Sequence, residues 1–194
     1  MRPAVPGKAA VFPIAGNHAP MAIRIGVFIL VCGALHWAYG SLRSSPLEPW
    51  FVHTLTVQPA AAAIGWLWPT DGVVAAGPRL AWPGGRLTLL AGCDGFEVMS
   101  LFIAATLAAD VPWRRRAIAL VAGCLVVWTL NQARIVALYW AFRYERAWFD
   151  PLHSVWGPLL MVAAVAAMFV WVVRVRVRAS PSSAGPRSKS PTCH

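Results

Sequence analysis

The chain is poor in acid. Seven Asp and Glu stand against 17 Lys and Arg, and charged residues make up 12% of 194 positions. A water-soluble domain carries charge on about a quarter of its residues, so there is too little polarity here to coat a globule. Paired cysteines are also missing. Cys32, Cys93, Cys124 and Cys193 form no C-x-x-C and no Cys/His ligand spacing, which argues against a disulfide framework and a zinc site, and nothing calls for a cofactor. No segment recurs in two halves, as a paired-repeat transporter would require. No clear small-x-small cleavage site follows the first apolar run, Ile23 to Tyr39. That run, with Arg2, Lys8 and Arg24 around its start, therefore reads as an uncleaved anchor rather than a secretory leader.

What is abundant is apolar: 58% of residues are hydrophobic and 11 are tryptophan. Four runs, 22–40, 94–111, 117–141 and 153–173, are each long enough to cross most or all of a hydrocarbon layer about 30 Å thick. The expected fold is an all-α polytopic membrane protein, a bundle of about four to five transmembrane helices. Residues 21–178 form this membrane domain. Residues 1–20, with four prolines, and 179–194, rich in Ser and Pro, read as disordered tails.

The net charge of +10 would suggest a nucleic-acid partner in a soluble protein. Here the arginines sit at the ends of apolar runs, which is membrane topology, so the partner is the lipid bilayer and nucleic acid is excluded. Arg114, Arg115 and Arg116 mark one cytoplasmic loop, Arg174, Arg176 and Arg178 another, and Arg2, Lys8 and Arg24 the N-terminal side. Four spans with both ends inside satisfy all three clusters. The stretch from His53 to Pro69 is apolar but short and broken by Pro59. It reads either as a fifth span or, in better agreement with the basic clusters, as an interfacial helix anchored by Trp66 and Trp68. After it, the segments 73–82 and 85–92, split by Pro83-Gly84-Gly85, suggest a short outer-face hairpin leading into Cys93.

Chemistry is expected where distances along the spans coincide. Cys93 lies 19 residues from Pro112, Arg134 lies 18 from Arg116, and His153 lies 21 from Arg174. Each interval is about 27 to 32 Å of helix, so the three residues converge at one depth near the outer face. A thiol, an imidazole to take its proton and a guanidinium to hold an oxyanion are the groups that thiolate attack on an amide needs. At the head of its helix Cys93 would also feel the positive end of the macrodipole, and Gly92 and Gly95 would let a substrate backbone approach. Each residue has a plainer reading. A membrane cysteine is usually a packing residue, as Cys32 and Cys124 are read here. Arg134, with Asn131 and Gln132 beside it, could be snorkelling to the interface, and His153 could simply start a helix. Asp94 and Glu97 either hold Arg134 or His153 in place or face outer water. His18, His36, His53 and His194 receive no role.

The ordered set AGCDG, NQARIVALYW and DPLHSVWGPLLM resembles the exosortase/archaeosortase family of polytopic membrane cysteine transpeptidases over roughly Leu47 to Val173. The resemblance implies a catalytic Cys93 (in C-x-G), Arg134 (in N-x-x-R-I) and His153 (in L-H-x-x-x-G, closing on Gly157). Asp94, Gly95, Glu97 and Asn131 would bind substrate or support the site. It further implies a bacterial or archaeal sorting peptidase of the inner membrane with its site facing outward. Its partners would be exported proteins ending in a Pro-containing motif, a transmembrane helix and a basic tail. One position departs from the pattern: the residue after the cysteine is usually small and hydroxylated or apolar, and here it is Asp94. A second class is a non-enzymatic membrane assembly or scaffold protein on the same core, in which Arg134 and His153 only stabilise the bundle.

Overall fold

The computed structural model describes residues 20–43, 45, 47, 50, 52–89 and 93–178. The two tails expected at 1–20 and 179–194 lie outside the described residues apart from Pro20, as does Gly92. The molecule is mostly helical. Helix α1 spans Met21–Arg43. A π turn at His53–Val57 runs into α2, Gln58–Leu67. Three short strands follow, β1 Val74–Ala76, β2 Arg79–Trp82 and β3 Gly85–Thr88. Helix α3 is Phe96–Ala108 and α4 is Trp113–Tyr144. A second π turn, Leu152–Trp156, leads into α5, Gly157–Arg178.

Three helices are long and apolar enough to cross a membrane: Met21–Arg43, Trp113–Tyr144 and the continuous stretch Arg146–Arg174. The run expected at 94–111 is shorter as a helix. It forms 13 helical residues, and Ala109 turns extended (φ −69°, ψ 142°). A helix of that length rises about 20 Å, less than the hydrocarbon thickness. Conversely, α4 is longer than 117–141. Its 32 residues rise about 48 Å and carry its ends beyond a hydrocarbon layer.

Helix α1 has no buried side chain although it is apolar on all sides, the pattern of a surface solvated by lipid. It is fastened to α3 near both ends. Arg24 Nη2 pairs with Asp110 Oδ2 at 3.0 Å just past the end of α3, and Tyr39 stacks on Phe96 at the start of α3, centroids 3.9 Å apart. Arg116 donates to the Ala109 carbonyl at 2.8 Å, and Val111, Ala119 and Val172 pack together nearby. Arginines of α1 and α4 thus meet the end of α3 at one end of the bundle.

The opposite end holds the larger core. Ile64 and Val57 bury completely against Leu80, Ile135 and Tyr139. The stretch from His53 to Leu67 therefore docks on α4 and the strands through one apolar face, with Val57, Ala60 and Ile64 at helical spacing. The strands form an antiparallel meander in the order β1-β2-β3 rather than a single hairpin. Gly77-Pro78 makes the additional turn, with Ala76 opposite Arg79, and Trp82 faces Gly85 across the second. Leu80 and Trp82, two residues apart, bury together, as strand periodicity demands.

Candidate active site

The segment entering α3 is a tight turn. Gly95, at φ +77°, is the residue that caps the helix, and the Met99 N–H donates to its carbonyl at 3.1 Å. Cys93 therefore sits upstream of the cap rather than at the helix head, and the macrodipole, which falls off within the first turn, acts on it only weakly. A side chain at Gly95 would be strained by its backbone and would put a Cβ 2.9 Å from Asn131 Cγ. The missing side chain lets Asn131 reach the turn. Its Nδ2 donates to the Cys93 carbonyl at 3.1 Å, and the residue is 2% exposed. Asn131 Oδ1 has no hydrogen-bond partner among the described residues.

Cys93 is buried, 8% exposed, and its Sγ lies 3.9 Å from His153 Nδ1. The histidine belongs to the π turn Leu152–Trp156, in which the Gly157 N–H reaches back to the Leu152 carbonyl. Its ring lies parallel to Phe149, centroids 5.7 Å apart at 4°. Arg134 Nη2 donates to the His153 main-chain carbonyl at 3.3 Å. Gly157 leaves the room for this, since a Cβ there would stand 2.6 Å from Arg134 Nε and 2.6 Å from the Leu152 oxygen. Arg134 therefore grips the backbone that carries the imidazole. With Leu138, Trp156 and Leu160 it also lines a cavity of about 260 Å³.

Cys93, Arg134, His153, Asn131 and Gly95 are thus brought together. Glu97 is exposed in the first turn of α3, with its carbonyl accepting from Ser100 Oγ at 2.8 Å. Its side chain makes no hydrogen bond or ion pair with Arg134 or His153. Asp94 accepts the Phe96 N–H on Oδ1 at 3.3 Å, a common use of Asp in turns, and lines a different cavity with Tyr39, Phe96 and Trp128. Phe149, stacked on His153, carries no signal in the sequence, because one more aromatic in an apolar run stands out by neither composition nor spacing.

A second polar cluster is equally silent in the sequence. Asp71 accepts hydrogen bonds from Tyr139 at 2.6 Å and Tyr144 at 2.5 Å. The Tyr139 bond first, then that of Tyr144, holds its carboxyl below the ordinary carboxylate range, against a smaller opposing effect of burial. The cluster ties the loop before β1 to the end of α4. His53 has its Nδ1 3.1 Å from the Gly77 carbonyl and anchors the first π turn to the strands.

Comparison with models of known families, with curated proteins and with solved structures found no match for this chain.

Proposed function

We propose that the chain is a membrane-embedded cysteine peptidase of exosortase type, cleaving C-terminal sorting signals of exported proteins and passing the acyl group to an acceptor. The observation that carries this reading is the 3.9 Å approach of Cys93 Sγ to His153 Nδ1 in a buried, glycine-shaped turn. His153 takes the thiol proton, and the sulfur attacks the scissile carbonyl. A tetrahedral oxyanion forms and collapses as His153 gives the proton to the leaving amine, which leaves a thioester on Cys93. An incoming amine or water then attacks the thioester and restores the thiol. Asn131 steadies the turn through the Cys93 carbonyl, and its buried Oδ1 offers an acceptor for a substrate N–H. Arg134 holds the His153 backbone, and its guanidinium supplies the positive charge that stabilises the oxyanion.

In this reading the short helix α3 is a fourth crossing, completed at its outer end by the Cys93 turn. The arginine-rich end of the bundle faces the cytoplasm, and the Cys93 end faces outward from the inner membrane. The test is co-expression with an exported reporter ending in a Pro-containing motif, an apolar helix and a basic tail. Cys93→Ala and Cys93→Ser should each leave the precursor uncut while inserting normally, because a hydroxyl at neutral pH lacks the thiolate's nucleophilicity. Cleavage retained in Cys93→Ala would refute the proposal.

A further inference from the structure

Two polar contacts hold His153: Nδ1 faces Cys93 Sγ at 3.9 Å, and the main-chain carbonyl accepts from Arg134. The outer torsion of a histidine side chain is broad and roughly two-fold, so the grip of Arg134 on the backbone leaves the plane of the ring open. A nucleophile's base is normally oriented by a third group, bonded to its other nitrogen. Among the described residues, Cys93 is the one hydrogen-bond partner of this imidazole. What lies alongside it instead is a flat ring. Phe149, four residues back in the chain, is parallel to the imidazole to within 4°, at a centroid distance of 5.7 Å, in the range of offset stacking. Phe149 is itself set by rings. It meets Phe142 at 5.5 Å and 73°, and Phe142 meets the buried Trp82 of β2 at 5.9 Å and 74°. The Arg146 guanidinium lies over the Phe142 ring, 4.2 Å from its centroid. A file of aromatic rings thus runs from the sheet core to the imidazole.

We infer that Phe149 is a positioning residue of the peptidase, holding the His153 ring in the plane from which Nδ1 takes the Cys93 proton. The inference rests on the peptidase reading and adds a residue to it. A parallel neighbour permits two settings of the torsion, half a turn apart, and only the setting that brings Nδ1 to the sulfur gains the thiol hydrogen bond. The flat face does for this base what a hydrogen-bonded side chain does in a triad. Because Phe149 acts through the imidazole, its loss slows turnover and leaves substrate capture alone.

The test uses the full chain in lipid nanodiscs, with its histidines labelled with carbon-13 at Cε1. His153→Gln identifies the His153 resonance. Carbon relaxation should show a rigid imidazole in the native chain and in Phe149→Tyr, and a mobile one in Phe149→Leu. With the sorting reporter reconstituted alongside, Phe149→Leu should lower kcat about tenfold at unchanged KM, and Phe149→Tyr should recover most of that loss. A residue that only filled space would lower stability and leave kcat per inserted chain unchanged. Should Phe149→Leu fail to insert, Phe149→Met, also apolar and without a flat face, takes its place. A mobile His153 ring in the native chain, a ring still rigid in Phe149→Leu, a change confined to KM, or a loss that tyrosine does not recover would each overturn the inference. Processing retained by Cys93→Ala with the His153 ring rigid would instead count against the peptidase reading.

Discussion

Asn131 donates its side-chain amide to the main-chain carbonyl of Cys93 across 3.1 Å, joining the middle of α4 to the turn that carries the thiol. Gly95 makes that bond sterically feasible. Gly95→Ala should cost about 1 to 2 kcal/mol from its left-handed backbone alone, before Asn131 is displaced. A lowered Tm in detergent and a loss of reporter cleavage are the expected results, and Asn131→Ala should reproduce the cleavage loss. A Gly95→Ala protein with native Tm and native cleavage would break the link between the two residues.

Arg134 grips the His153 carbonyl through one arm of a planar fork. Lysine keeps the charge but loses the second arm, so Arg134→Lys should slow single-turnover cleavage more than about tenfold, the scale of a lost oxyanion donor. Insertion and Cys93 alkylation should be unchanged. Rates near those of the native chain would reduce Arg134 to an interfacial anchor and leave Cys93 and His153 as a pair.

The two tyrosine bonds to Asp71 set a pH dependence whose sign follows from the lowered carboxyl. At acidic pH the unfolded chain binds this proton more readily than the folded one, so stability rises with pH there. The stabilisation is complete above the ordinary carboxylate value of about 4 and is lost as pH falls through the lower folded value. Melting curves between pH ~3 and 7 should show Asp71→Asn less stable near neutrality and less sensitive to acid than the native chain. Parallel curves for the two proteins would remove Asp71 as the source.

Topology gives the fourth prediction. The gathering of Arg24 and Arg116 at the end of α3 puts the basic first turn of α4, Arg114 to Arg116, at one end of the bundle and the Cys93 turn at the other. Reporter fusions after Arg116 and after Tyr144 should give opposite readouts, cytoplasmic and external respectively. Identical readouts would sink the assignment.

Counting helical rise from the basic anchors puts Arg134 and His153 at one depth, and the two meet at the His153 carbonyl, whereas the count for Cys93 assumes 19 helical residues where α3 has 13. Contacts within a turn were less legible. Asp94-Gly95 is a turn signal, and a glycine at positive φ takes the cap position, which moved Cys93 out of the helix head. Gly77-Pro78 likewise announces a turn, and with it a third strand. The bonds from Tyr139 and Tyr144 to Asp71 span 68 and 73 residues, and no local pattern encodes contacts at that range. The shortness of α3 was hidden because hydropathy continues through Ala109 and Val111 after the helical hydrogen bonds have stopped.

The π turn at Leu152–Trp156 contains one residue more than an α-helical turn would. Each helical residue advances the side-chain direction by about 100°. Deleting one residue from this turn would therefore swing Phe149 and His153 through more than a quarter of a revolution while α5 stayed seated. The aim of the imidazole at the sulfur is thus an angular phase stored in chain length. Point substitutions can alter the imidazole, but a one-residue deletion would leave it chemically intact and facing elsewhere.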